Sequence, residues 1–300
     1  MVKSKKKVIV FGGSGFLGSH VADTLTKNNY EVTIIDEFES NWINKKQKFI
    51  KANLGDLKKY SKYIKKGDIV FNFAAISDIE KSNLEPENTV KVNILDLVKL
   101  LNLLVKKKIK KFIYASTVYV SGNKGGFYKS SKLSAESFIK EFRNIKKLNY
   151  SILRYGTLYG PRSDENNGLH SLIKDMLKNK KILYSGSMES VRNYIHVKDA
   201  ARLSLKIIEK NFDNKTLVLT GPENYKITYI LNILSEITGI KNIKFLKKNN
   251  LKKVSHYLKT PYNIEDEEKS FTYRYTDNYN VMIDQGLKDL ILELKEKYKF

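Results

Sequence analysis

The stretch Val8-Ile9-Val10-Phe11-Gly12-Gly13-Ser14-Gly15-Phe16-Leu17-Gly18 decides the fold. Its first four residues are apolar and mostly β-branched, the pattern of a buried strand. Glycines at 12, 15 and 18 then lead into an amphipathic helix. A strand, a tight turn and a helix N-terminus in this order set backbone N–H groups and the positive helix end against a pyrophosphate. Gly12 makes the turn, Gly15 lets the backbone approach the phosphates, and Gly18 lets the helix pack closely on the strand. A glycine triplet alone is as readily a flexible turn. Here the strand precedes it, the helix follows it, and Asp36 ends the next predicted strand eighteen residues beyond Gly18. A carboxylate at that place accepts hydrogen bonds from ribose hydroxyls and repels a 2′-phosphate, so the spacing predicts NAD rather than NADP, with Lys45 and Lys46 the only nearby counter-signal.

Outward from this loop, short β-branched runs alternate with longer helical patterns, the signature of βαβ units and a parallel sheet. Strands are predicted at Lys7 to Phe11, Glu31 to Asp36, Lys48 to Asn53, Asp68 to Phe73, Lys111 to Ser116 and Tyr150 to Arg154. A helix from Thr89 to Lys106 has Val90, Ile94, Leu97, Val98, Leu101 and Val105 at helical spacing. Past Arg154 the pattern is less regular: helices near Gly168 to Asn179, Val197 to Lys210 and Thr228 to Thr238, a strand near Thr216 to Thr220, an aperiodic stretch from Lys247 to Thr276, and a last helix over Gln285 to Lys297. The expected fold is α/β, a Rossmann-type doubly wound parallel sheet with a smaller C-terminal α/β subdomain. Residues 1–155 form the dinucleotide-binding part, and residues 156–300 form a mainly substrate-binding part interleaved with the sheet.

Three hundred residues, 41% hydrophobic and 11% aromatic, suffice for a large core. No run approaches the roughly 18 apolar residues of a membrane span, which predicts a cytoplasmic protein with no membrane partner. With no cysteine there is no disulfide or thiolate site, and His20, His170, His196 and His256 show no metal-ligand spacing, so no metal is expected. The net charge of +23 attracts polyanions. Only six of the basic residues are Arg, however, and the Lys are spread along the chain. That is a compositional habit rather than a nucleic-acid patch, and a phosphate-bearing small substrate fits the charge as well.

Ser116 and Thr117 close the fifth predicted strand, and Tyr128-Lys129-Ser130-Ser131-Lys132 follows eleven residues after Thr117. On a helix, residues four apart share a face, so the Lys132 ammonium is expected beside the Tyr128 phenol, where it lowers the phenol's pKa. A tyrosinate so stabilised removes a proton from a substrate alcohol while hydride leaves its carbon, with Thr117 bonded to the same oxygen. Chance alone gives about three Tyr-x-x-x-Lys pairs in a chain this rich in both residues. Tyr194 and Lys198 form a rival, but they lie beyond the last parallel strand and away from the glycine loop.

Together these residues resemble the extended short-chain dehydrogenase/reductase superfamily, in particular the NAD-dependent nucleotide-sugar epimerase/dehydratase family. The resemblance spans about residues 7 to 240. It rests on Gly12 to Gly18, Asp36, Phe73-Ala74-Ala75, Asn93, Ser116-Thr117, Tyr128 with Lys132, Arg154 through Tyr159-Gly160-Pro161-Arg162, and Arg192 through Asp199. It implies that Thr117, Tyr128 and Lys132 are catalytic. It also implies that Gly12, Gly15, Phe16, Leu17, Gly18, Asp36, Asn53, Leu54, Phe73, Ala74, Ala75, Asn93, Ser116 and Tyr155, with Tyr128 and Lys132, line the cofactor. Ser77, Thr117, Thr157 and Arg192 would meet the substrate, Arg192 through its diphosphate. Asn53 stands where relatives carry an adenine-contacting Asp.

Three departures refine this. Val118 and Tyr119 follow Thr117 where 4,6-dehydratases carry Asp-Glu, which disfavours that activity. Thr157 replaces a common Asn, and the segment from Thr117 to Tyr128 is about a dozen residues shorter than in typical epimerases. The expected activity is oxidation of a sugar hydroxyl, at C4 of a nucleotide-activated sugar in surface-polysaccharide or glycoconjugate biosynthesis. Returning the hydride to the other face makes an epimerase, release of the keto sugar makes a dehydrogenase, and the reverse direction makes a ketoreductase. A non-catalytic NAD-sensing or nucleic-acid-binding regulator is the alternative of another class, and an intact Thr117, Tyr128 and Lys132 set opposes it. The resemblance also implies a homodimer through the helices that follow the fourth and fifth strands.

Overall fold

The computed structural model describes residues 6–245 and 272–300. Most of the aperiodic stretch expected from Lys247 onward lies outside the described residues. Eight parallel strands form the central sheet: β1 (Lys7–Phe11), β2 (Glu31–Asp36), β3 (Lys48–Lys51), β4 (Ile69–Asn72), β5 (Lys111–Thr117), β6 (Tyr150–Tyr155), β7 (Lys215–Leu219) and β8 (Thr272–Arg274). Their order across the sheet is β3-β2-β1-β4-β5-β6-β7-β8. The order reverses between β1 and β4, and in such a sheet the crevice at the carboxyl ends of those two strands is where ligands bind.

Period-two alternation explains why the sheet is covered on both faces. Val8 and Val10 of β1 face a cluster with Val21 and Leu25 of helix α1 (Phe16–Lys27). Ile9 and Phe11 point the other way, into a cluster with Leu97, Leu101 and Leu104 of α2 (Leu97–Lys107) and Ala135 and Ile139 of α3 (Gly126–Lys146). A third cluster belongs to the smaller subdomain. There α4 (Gly168–Asn179), α6 (Ile227–Thr238) and α7 (Ile283–Tyr298) bring Ile173, Ile230 and Leu287 together beside Tyr159. Helix α5 (Val197–Lys206) returns to the main sheet, its Ala200, Ala201 and Leu203 packing with the α1 face.

Two predicted helices differ from what the sequence suggests. The span Thr89 to Lys106 is a short helix (Pro86–Val90), a wide π-helical turn (Lys91–Asp96) and then α2. The widened turn carries Asn93, whose side chain is bonded on both sides to other elements, and such a turn re-aims a side chain without ending the helix. The helix expected to reach Lys210 stops at Lys206. The carbonyls of Ile207 and Glu209 instead accept hydrogen bonds at 2.7 and 3.1 Å from the buried Lys111 Nζ, which draws the chain out of the helical path.

Candidate active site

The glycine loop is shaped by close approach. Gly12 has φ +72°, and a Cβ there would lie 2.5 Å from Ala74 N in the loop after β4. A Cβ at Gly18 would lie 2.0 Å from the Gly12 carbonyl oxygen, so only hydrogen fits where α1 meets the turn. A Cβ at Gly15 would meet only the Gly12 oxygen at 3.4 Å, and the start of α1 has neither a side-chain cap nor an acidic residue in its first turn. Its backbone donors are therefore available to an anion. Ser14 contributes a buried Oγ with no protein partner among the described residues, while its N–H donates to Asp36 Oδ2 at 2.9 Å. Burial raises the Asp36 carboxyl, partly offset by the N–H groups of Ser14 and Phe38. An open helix start, an unpartnered hydroxyl and an acidic strand end suit a pyrophosphate with its adjoining ribose. Phe73, Ala74 and Ala75 border this crevice half-buried, with Phe73 N–H bonded to the Phe11 carbonyl at 2.9 Å. Asn53 is exposed just past β3, whereas the Leu54 side chain lies in the core.

At the carboxyl end of β5, Thr117 hydrogen-bonds the Tyr128 phenol, which lies half-buried in the first turn of α3. Lys132 lies one turn further along, its Nζ donating to the Ala115 carbonyl at 2.8 Å. That Nζ is 6.0 Å from the Tyr128 ring centroid and 4.7 Å from that of Tyr114. The structure thus brings together the three residues expected to be catalytic. Their protonation differs from the expectation. Burial pushes the Tyr128 phenol up to about 12, with the Thr117 bond opposing. Burial likewise pushes Lys132 down to about 7, with the charge of Glu136 opposing. The ammonium is shared with a carbonyl and a second ring, so here it does not offset what the phenol loses by leaving water.

Several residues expected at the cofactor surface are engaged elsewhere. Asn93 accepts from Ile76 N–H at 2.8 Å and donates to the Ile76 carbonyl and to Ser131 Oγ, both at 3.0 Å. It clamps the loop after β4 against α3. Ser116 Oγ donates to Glu136 Oε1 at 2.5 Å. The Tyr155 side chain turns into the core, where its hydroxyl meets Ser204 Oγ at 2.7 Å. On the substrate side, Ser77 is exposed in the loop after β4. Thr157 begins a short strand (Thr157–Tyr159) two residues past Tyr155, the register partner of Thr117. Arg192, half-buried in Val191–Arg192, pairs with Tyr225 of the smaller subdomain. The rival pair separates: Tyr194 packs edge-on to Tyr159 in the subdomain core, while Lys198 is exposed.

Four functional neighbours escape the sequence reading. Two are Ser14 and Tyr114, and the Tyr114 hydroxyl is buried with no hydrogen-bond partner among the described residues. Tyr119 lies edge-on to Tyr128 with ring centroids 6.4 Å apart. Glu136 is 1% exposed and accepts from Arg154 Nε at 3.0 Å and a terminal Arg154 nitrogen at 2.7 Å as well as from Ser116. Its place one turn after Lys132 was the available signal.

A doubly wound sheet with a glycine cradle at its switch point and a Thr-Tyr-Lys set at the end of the fifth strand defines a dinucleotide-dependent oxidoreductase of the extended short-chain type. The sequence matches the NAD dependent epimerase/dehydratase family over residues 8–227, and the chain belongs to that family. It is 29% identical over 255 residues to a putative UDP-glucose 4-epimerase of Methanocaldococcus jannaschii, covering 78% of this chain and 83% of that one. Among solved structures it resembles the UDP-glucose 4-epimerase of Thermotoga maritima with UDP-glucose (TM-score 0.84, 25% identity, 97% of this chain and 99% of that one). It also resembles the UDP-glucuronic acid 4-epimerase of Bacillus cereus with UDP-glucuronic acid and NAD (TM-score 0.82, 28% identity, 97% and 100% covered).

Proposed function

We propose that this protein is a nucleotide-sugar 4-epimerase acting on a UDP-sugar. The observation that carries the reading is the Thr117, Tyr128 and Lys132 set gathered at the end of β5 beside an open helix start, with Val118 and Tyr119 rather than acidic residues after Thr117. Bound NAD supplies a hydride acceptor at the sugar's C4 and a positive charge near the phenol. Tyr128 takes the proton of the C4 hydroxyl, Thr117 holds that oxygen in line, and Lys132 stabilises the tyrosinate from its place one turn away. Burial raises the phenol and so disfavours the tyrosinate, and a positive charge beside it would favour that form. Val118 and Tyr119 supply no carboxyl group for water loss; the keto sugar would instead turn its other face to the cofactor, take the hydride back at C4 and recover the Tyr128 proton on its oxygen.

Residues 1–155 serve cofactor and proton transfer, and residues 156–300, through Thr157 and Arg192, serve the sugar and its diphosphate. We place the enzyme in the cytoplasm as a homodimer. Among the described residues no helix is long and apolar enough to cross a membrane. Leu95 in the π-helical turn and Leu133 and Phe138 on α3 are exposed on neighbouring helical segments, as a self-complementary face requires.

The test is to identify the dinucleotide released from purified protein, then to follow absorbance at 340 nm and sugar products across UDP-sugars. Epimeric products with no accumulating NADH are expected, and Tyr128→Phe should lower turnover by about 10² to 10⁴ while leaving dinucleotide binding intact. Accumulating NADH with a keto sugar would replace this reading with a dehydrogenase, and absence of both dinucleotide and turnover would remove it.

A further inference from the structure

The lysines that look dispersed along the chain converge in the fold. At the amino ends of the strands, the linkers that enter β4, β5, β6 and β7 carry Lys65, Lys66, Lys108, Lys110, Lys147 and Lys210, all exposed. These linkers interlock: Gly67 N–H donates to the Lys108 carbonyl at 3.1 Å, Lys110 N–H to that of Asp68 at 2.8 Å, and Phe112 N–H to that of Asn149 at 2.9 Å. They therefore form one continuous face, on the side of the sheet opposite the crevice. Its carboxylates are largely spent, since Asp68 is buried and Asp213 is paired with the buried Lys111 at 2.7 Å, leaving Glu31 and Glu209 exposed. The loops leaving the carboxyl ends are more acidic, with Glu37, Glu39 and Asp78 against Lys124, whereas Lys45 and Lys46 lie just before β3, near Asp23 and Thr26 of α1. A general lysine excess would enrich both ends alike. Helix dipoles account for lysines in the last turns and at the C-caps, such as Lys106, Lys108, Lys146 and Lys147, but not for Lys65, Lys66, Lys110 and Lys210.

We propose that this amino-end face docks on an anionic phospholipid surface. The chemistry favours a bilayer over a nucleic acid. No arginine stands in these linkers, and the guanidinium of Arg143 at the end of α3 is bonded to the Lys147 carbonyl and Asn149 Oδ1, so no free planar fork offers itself to phosphate and base edges among the described residues. The rings present, Tyr63 and Phe212, are half-buried and buried, and offer no stacking platform. Ile145, exposed beside Lys146 and Lys147, gives an apolar contact at headgroup depth. Hydrated point charges on flexible stems suit a laterally mobile field of headgroups. Docked this way, the crevice faces away from the membrane and stays open to its substrate.

The experiment is co-sedimentation of the full chain with phosphatidylcholine vesicles, with and without phosphatidylglycerol, over a salt series. Binding is expected only to the anionic vesicles and should fall steeply with salt. Replacing Lys108, Lys110 and Lys147 by Glu should weaken partitioning by at least about two orders of magnitude, from about fivefold per lysine removed with the repulsion of three carboxylates added. The same three replaced by Gln show the effect without charge reversal should the first variant fail to fold. Replacing Lys178, Lys180 and Lys241 by Glu changes net charge equally on the smaller subdomain and should leave partitioning within about threefold. Equal loss from both sets, no binding to anionic vesicles, or tighter binding to polyuridylate than to the vesicles would each overturn the proposal.

Discussion

Glu136 shows how much a single buried carboxylate holds. It is 1% exposed and joins three elements, since Ser116 lies on β5, Arg154 on β6 and Glu136 itself on α3. Glu136→Gln leaves the Arg154 guanidinium, itself only 12% exposed, without its counter-charge. Breaking such a pair costs about 3 to 5 kcal/mol, here at the lower end. Urea unfolding should show a loss near 3 kcal/mol, and replacing Glu136 and Arg154 together by Met should restore most of it. A loss under about 1 kcal/mol would mean the pair is not what ties α3 to the sheet. Much at this scale was legible in advance. Gly12, Gly15 and Gly18, or Tyr128 and Lys132, stand at short fixed spacings because one turn or one helix face imposes them. Ser116 with Glu136, or Asn93 with Ile76, meet only through the fold, so no local period announces them. The phenol's pKa was misjudged for the same reason, because proximity to Lys132 is visible in sequence and burial is not.

At the scale of elements, strands and helices with strong periods were readable, and β1, β2 and α4 carry the predicted bounds. The two- and three-residue strands of the smaller subdomain, such as Val191–Arg192, were not, since a period needs more residues than they have. Beside α3 packs the π-helical turn, and Leu95 and Phe138 are 50% and 43% exposed. If these segments pair with a second copy, Leu95→Glu with Phe138→Glu should place a charge against apolar surface on both sides of the two-fold axis. Sedimentation velocity should then report a monomer in place of a dimer, while far-UV circular dichroism stays unchanged. A wild-type chain that sediments as a monomer at micromolar concentration refutes the pairing outright.

At the scale of the whole molecule, two buried histidines sit where the smaller subdomain meets the sheet. His20 on α1 is 3.0 Å from the Pro161 carbonyl, and His196 accepts from Lys198 N–H at the start of α5 while its ring meets that of Tyr159. Burial pushes both down to about 4. The unfolded chain thus binds these protons first as pH falls, so the stabilisation is complete above about 6.5 and is lost as pH drops through 4. Each site contributes at most about 3 kcal/mol to this slope. Chemical unfolding between pH 7 and pH 4 should show it, and His20→Gln should flatten it; an unchanged slope would assign the acid sensitivity to other groups.

Strand β7 has a consequence for synthesis. It seals the outer edge of β6 through residues 215–219, sixty-four residues after β6 ends at Tyr155. At about 5 to 20 residues per second, a ribosome needs several seconds to deliver it. Throughout that interval a hydrophobic strand waits with a bare row of N–H and C=O groups, which makes translation speed across this stretch a determinant of yield.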